Sequence, residues 1–134
     1  MKNIILIAVI LIGFACKKKT VTPTESVTPP CITSPDQFSG KYTSPNNDTI
    51  EIVFLHNNCP KDNFNTYLVK GLGEVAQTML KSGETFDIKD YEVIADEKIG
   101  KAVNGNNFSL GRQSNGYLIF SSYKVNNGCE FVKI

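Results

Sequence analysis

The stretch Phe38-Ser39-Gly40-Lys41-Tyr42-Thr43-Ser44-Pro45-Asn46-Asn47-Asp48-Thr49-Ile50-Glu51-Ile52-Val53-Phe54-Leu55-His56 decides the fold. Apolar side chains recur at every second position on both sides of a polar break, the signature of two half-buried strands joined by a turn. Register follows from burial, because a slip of one residue sends every side chain to the opposite face. Pairing Gly40 with Ile52 and Tyr42 with Ile50 sets Phe38 against Phe54 and keeps one apolar face. A slip by one would set Tyr42 against Glu51. The favoured register leaves Pro45, Asn46 and Asn47 as the loop, where Asn tolerates the left-handed conformation that such turns require.

The same rhythm continues downstream. Tyr67 and Val69 alternate within 66–72, then residues 75–81 face 84–88 across Ser82-Gly83, residues 99–103 face 108–110 across an Asn-Gly turn, and 117–125 face 129–134 across Asn127-Gly128. The fold class predicted is all-β: an antiparallel meander of about eight strands forming a closed or nearly closed barrel. Residues 74–81 and 91–103 are rich in Ala, Glu and Lys, so the alternative is an α+β sheet with one or two short helices.

Composition bounds the rest. The chain has 134 residues, 41% hydrophobic, with 14 basic and 13 acidic side chains, four cysteines and one histidine. That suits one folded unit and lacks the basic surplus of a nucleic-acid binder. Residues 31–134, read as the domain, carry 10 basic and 12 acidic residues. Residues 16–30 contain Lys17, Lys18 and Lys19 and a Thr/Pro-rich run, and read as a disordered tether.

Residues 1–15 are a signal segment: Lys2 precedes an apolar run from Ile4 to Ala15. At 1.5 Å per residue that run is about 18 Å long, against roughly 30 Å for a bilayer core, so it is too short to span. Ala15 followed by Cys16 resembles the lipobox of bacterial lipoproteins, with Gly13 where Leu is usual. The resemblance implies that Cys16 is lipidated, that the partner is a membrane reached through an N-terminal lipid anchor, and that the protein resides in the bacterial cell envelope.

Phe38-x-Gly40-x-Tyr42 also resembles the opening of lipocalin-like barrels, and 38–134 is similar to small, mostly uncharacterised bacterial lipoproteins with a Gly-x-Tyr-Thr first strand and a Cys near the start of the last. That resemblance implies barrel-floor or ligand-lining roles for Phe38, Tyr42 and Phe54, with Tyr42 where lipocalins carry Trp.

In an oxidising envelope, cysteines can pair. Extrapolating the first hairpin brings Cys59 opposite residue 33, near Cys31, whereas Cys129 falls roughly five strand residues away if the last strand closes on the first. A Cys31–Cys59 disulfide is expected, with Cys59–Cys129 as the second pairing.

No metal, cofactor or catalytic motif is expected. His56 is the one histidine, and it sits at a strand end where an edge role is expected rather than that of a base. Asp62-Asn63-Phe64-Asn65 and residues 87–90 read as solvated turns rather than calcium loops. The function expected is a non-catalytic interaction or structural β module contacting other envelope proteins. The alternative is a lipocalin-like binder of a small apolar or amphipathic ligand, and interior volume separates the two.

Overall fold

The computed structural model describes residues 35–105 and 107–134. The signal segment, Cys16, the tether and Cys31 lie outside the described residues. Eight strands are formed: β1 (Gly40–Thr43), β2 (Thr49–Asn57), β3 (Asn65–Lys70), β4 (Tyr91–Asp96), β5 (Lys101–Asn104), β6 (Phe108–Arg112), β7 (Leu118–Ser121) and β8 (Cys129–Lys133). They pair in sequence order, all antiparallel, and close into a barrel where β8 meets β1 at Tyr42↔Lys133 and Thr43↔Val132.

The first hairpin has the expected register, with Gly40↔Ile52 and Tyr42↔Ile50. Ser44 shapes its turn. The Ser44 amide donates to the Asp48 carbonyl at 2.8 Å, and its hydroxyl accepts the Asn46 and Asp48 amides, each at 3.2 Å. Asn47 takes the left-handed conformation, φ 64°.

Two expectations are corrected. Residues 75–81 and 84–88 do not form a hairpin. Gly71, at φ 78°, turns the chain out of β3 into a six-residue helix, α1 (Leu72–Gln77). Leu72, Val75 and Ala76, at i, i+3 and i+4, are its buried face. Gly73 belongs there because a Cβ would lie 2.6 Å from the Asp87 carbonyl oxygen. The strand count is kept because 91–103 divides into β4 and β5, with residues 97–100 turning between them. The strand expected over 117–125 stops at Ser121, and its Leu118 and Phe120, facing Phe131 of β8 and Leu110 of β6, are inside.

Alternating direction assigns each loop to one end of the barrel. The proximal end gathers residues 36–39, 58–64, 97–100 and 113–117 with the end of β8. The distal end gathers 44–48, 71–90, Gly105 with Asn107, and 122–128. The interior is filled by side chains. Distally, the rings of Phe86, Tyr91, Phe108 and Phe120 interlock, with centroids 5.2 Å (Phe86–Tyr91), 5.3 Å (Tyr91–Phe108) and 5.8 Å (Phe108–Phe120) apart. Proximally, Phe38 and Tyr67 are fully buried with centroids 5.7 Å apart. Edge-to-face and tilted ring pairs of this kind add to the stabilisation from burial alone.

Candidate functional site

The three residues singled out for the floor or a ligand lining are placed differently. Phe38 and Tyr42 are buried, and the Tyr42 hydroxyl donates to the Phe38 carbonyl at 2.8 Å. Phe54 lies opposite Tyr67 in the ladder and meets it edge-on at 5.8 Å, but it is 42% exposed. A bulge follows, so that His56 rather than Leu55 opposes Thr66, and regular alternation stops at Phe54.

A polar cluster closes the proximal end beneath Phe38. The Tyr67 hydroxyl donates to Glu97 Oε1 and lies 3.0 Å from Asp36 Oδ1, so one hydrogen serves two carboxylates. Asn65 donates through Nδ2 to Glu97 Oε1 at 3.1 Å. Glu97 is only 6% exposed, and its Oε2 is buried without a hydrogen-bond partner. Burial first, then the bond to Glu97, pushes the Tyr67 phenol far above its ordinary range. Burial works to raise the Asp36 pKa, but hydrogen bonds from Ser39, Tyr67 and Phe38 outweigh it and hold the carboxyl below its usual value. The sequence carried a signal for this cluster. Glu97 continues the inward parity of Tyr91, Val93 and Ala95, and a charge at an inward position needs partners.

A groove opens on the outside of the barrel. Outward residues form a row across four strands, His56↔Thr66↔Ile94↔Val103, as successive ladder partners. Residues 57–61 and 104–105 flank this row and bound a groove of about 670 Å³. Ile94 (46% exposed) and Val103 (38%) are its apolar floor. Its amides mostly hold the loops. Asn57 donates to Asn65 Oδ1 at 2.7 Å and accepts the Cys59 amide, Asn58 accepts from the Thr66 hydroxyl at 3.0 Å, and Asn104 donates to the Glu92 carbonyl. His56, Lys61 and Glu92 are the exposed charged or titratable groups on the rim. Thr66, the hydroxyl opposite His56, is engaged with Asn58, so the two are not arranged as nucleophile and base. An apolar floor with a few polar rim groups is binding chemistry.

The remaining candidates have local roles. Asp62 Oδ1 accepts the Phe64 amide at 2.9 Å, which makes it a turn residue, and Asp87 pairs with Lys89 at 3.3 Å. Among the described residues no group of three or more His, Cys, Asp or Glu gathers as for a metal. Cys129 is a free thiol, which excludes the Cys59–Cys129 pairing. Burial and then the Asp48 charge push the Cys129 thiol up.

Comparison with protein families, with curated proteins and with solved structures finds no match. The class rests on geometry: an eight-stranded antiparallel closed barrel with one short helix, consistent with a lipocalin-like fold.

Proposed function

We propose that this chain is a lipid-anchored lipoprotein of the bacterial cell envelope whose barrel is a non-catalytic interaction module, engaging another envelope component through the groove floored by Ile94 and Val103. The observation that carries this reading is the filled interior. Phe86, Tyr91, Phe108 and Phe120 occupy the volume that a ligand would need, and a groove of about 670 Å³ lies on the outer wall. The anchor rests on the Ala15-Cys16 resemblance, and a Cys31–Cys59 bridge is supported by the free Cys129, which removes the alternative pairing.

The test is native mass spectrometry and site-specific crosslinking of protein extracted from its own membrane. The expected result is a diacylglyceryl mass on Cys16, no stoichiometric apolar compound, and a crosslinked partner that is lost in Ile94→Asp and Val103→Asp variants. Recovery of one apolar molecule per chain would replace this reading with the ligand-binding one.

A further inference from the structure

A second concave surface, sharing no lining residue with the wall groove, opens at the proximal end. It measures about 360 Å³ and is lined by Gln37, Tyr42, Arg112, Asn115, Tyr117 and Lys133, with Gly116 and Val132 completing it. We propose that this cleft binds a phosphate group.

Two cations meet there without a carboxylate in the lining. Lys133 Nζ donates to the Ser39 carbonyl at 2.7 Å and lies 5.8 Å from the centre of the Tyr42 ring, while Arg112 Nη1 donates to the Gln37 carbonyl at 3.3 Å. Those carbonyls fix both side chains but neutralise neither. The ion pairs among the described residues are Lys70–Glu51 and Lys89–Asp87, and neither Arg112 nor Lys133 takes part. A guanidinium has five N–H donors and an ammonium three, so most of the donors here remain for a ligand. A planar fork beside a compact point charge suits a tetrahedral anion.

Asn115 accepts the Tyr117 amide through Oδ1 at 3.0 Å, which holds the turn at the cleft and leaves the Asn115 amide nitrogen as a further donor. The charges of Asp36 and Glu97 act on the Tyr42 hydroxyl, as does Arg112, but neither carboxylate lines the cleft and both are engaged with Tyr67. The Tyr42 and Tyr117 side chains add aromatic wall, which suits a phosphate carried on carbon. Two sources share this chemistry, a lipid headgroup and a soluble phosphate. The cleft is at the end where the described chain begins, and residues 17–34 reach at most roughly 60 Å, so an anchor at Cys16 would keep headgroups within range.

The test uses the full chain in neutral detergent micelles, following the amide NMR signals of Asn115, Gly116 and Tyr117. One arm adds inorganic phosphate, and the other dopes the micelles with phosphatidylglycerol against a diacylglycerol control, which has no phosphate. Saturable shifts are expected in at least one arm: in the first for a soluble ligand, or in the second, absent with diacylglycerol, for a headgroup. Arg112→Gln should raise the half-saturating concentration about tenfold or more, in line with losing hydrogen bonds to a charged group. Lys89→Gln with Lys124→Gln, at the distal end, should leave it unchanged. Arg112→Lys keeps the charge and loses the fork, so an intermediate shift in a variant with an unchanged melting temperature separates binding from folding. No saturable shift in either arm, or equal loss in the distal control, would overturn the proposal.

Discussion

The barrel closes its two ends by different physics. Distally, Phe86 enters from the 71–90 segment and packs on Tyr91, Phe108 and Phe120, so closure is apolar burial. Proximally, closure combines Phe38 with a cluster of two carboxylates, a phenol and an amide, in which hydrogen-bond donors are fewer than the acceptors they serve. The first kind is indifferent to acid, the titratable ring among the four being the Tyr91 phenol, which burial pushes up. The second depends on which groups are ionised. A barrel whose ends differ this way has a robust cap and a conditional one, and the proximal cap is the one beside the phosphate cleft.

The contrast can be tested by disabling each end in turn. The largest effect is expected at the distal end, where Phe86→Ala should cost about 3–5 kcal/mol in urea unfolding, because three ring partners lose their contact and the site cannot collapse. A cost under 1 kcal/mol would mean that the plug is replaceable. Next is Tyr67→Phe, which strips a donor from buried Glu97 and should cost about 1–3 kcal/mol. The same loss should be much smaller in a Glu97→Leu background, which a double-mutant cycle would read directly.

Third is the response to pH. The folded Asp36 carboxyl is depressed, so its contribution is present above the unfolded value of about 3.9 and is lost as pH falls through the lower folded value. Stability measured against pH should therefore fall in acid, and Asp36→Asn should flatten that arm while leaving the Phe86→Ala deficit unchanged. The raised Tyr67 phenol has the opposite sign. Its contribution is complete below about pH 10 and is lost as pH rises, so its phenolate absorbance should appear only as the barrel opens. The smallest effect is Phe54→Ala, about 1 kcal/mol or less in the same urea assay, because the ring is nearly half exposed.

The parts of the molecule legible in its sequence are those where burial and period two agree. Tyr42, Ile50 and Ile52 alternate on one buried face, and that alone specified the first register. Phe54 continued the alternation on paper, but the bulge ends it in space, and a bulge leaves no mark in hydrophobic pattern. Residues 72–77 misled for another reason. Leu72, Val75 and Ala76 form a helical stripe at i, i+3 and i+4, which a strand begun at residue 75 cuts off from its first member, and the close approach of Gly73 to the Asp87 carbonyl comes from a segment that period two does not reveal. The proximal cluster was half legible: the parity of Glu97 marked it as inward, while its partners Asn65 and Asp36 come from 32 and 61 residues away and only the fold brings them together. The phosphate cleft was not legible, since Arg112 and Lys133 are separated in sequence and meet through β7 and β8.

The pairing of β8 with β1, extended by the Ile134 amide on the Lys41 carbonyl at 3.0 Å, joins the first strand to the last in one continuous ladder. Among the described strands this ring leaves no free edge, so a partner does not join them by adding a strand. Recognition must therefore be written in side chains, and it can change from one descendant of this chain to the next by substitution alone, with the backbone left untouched.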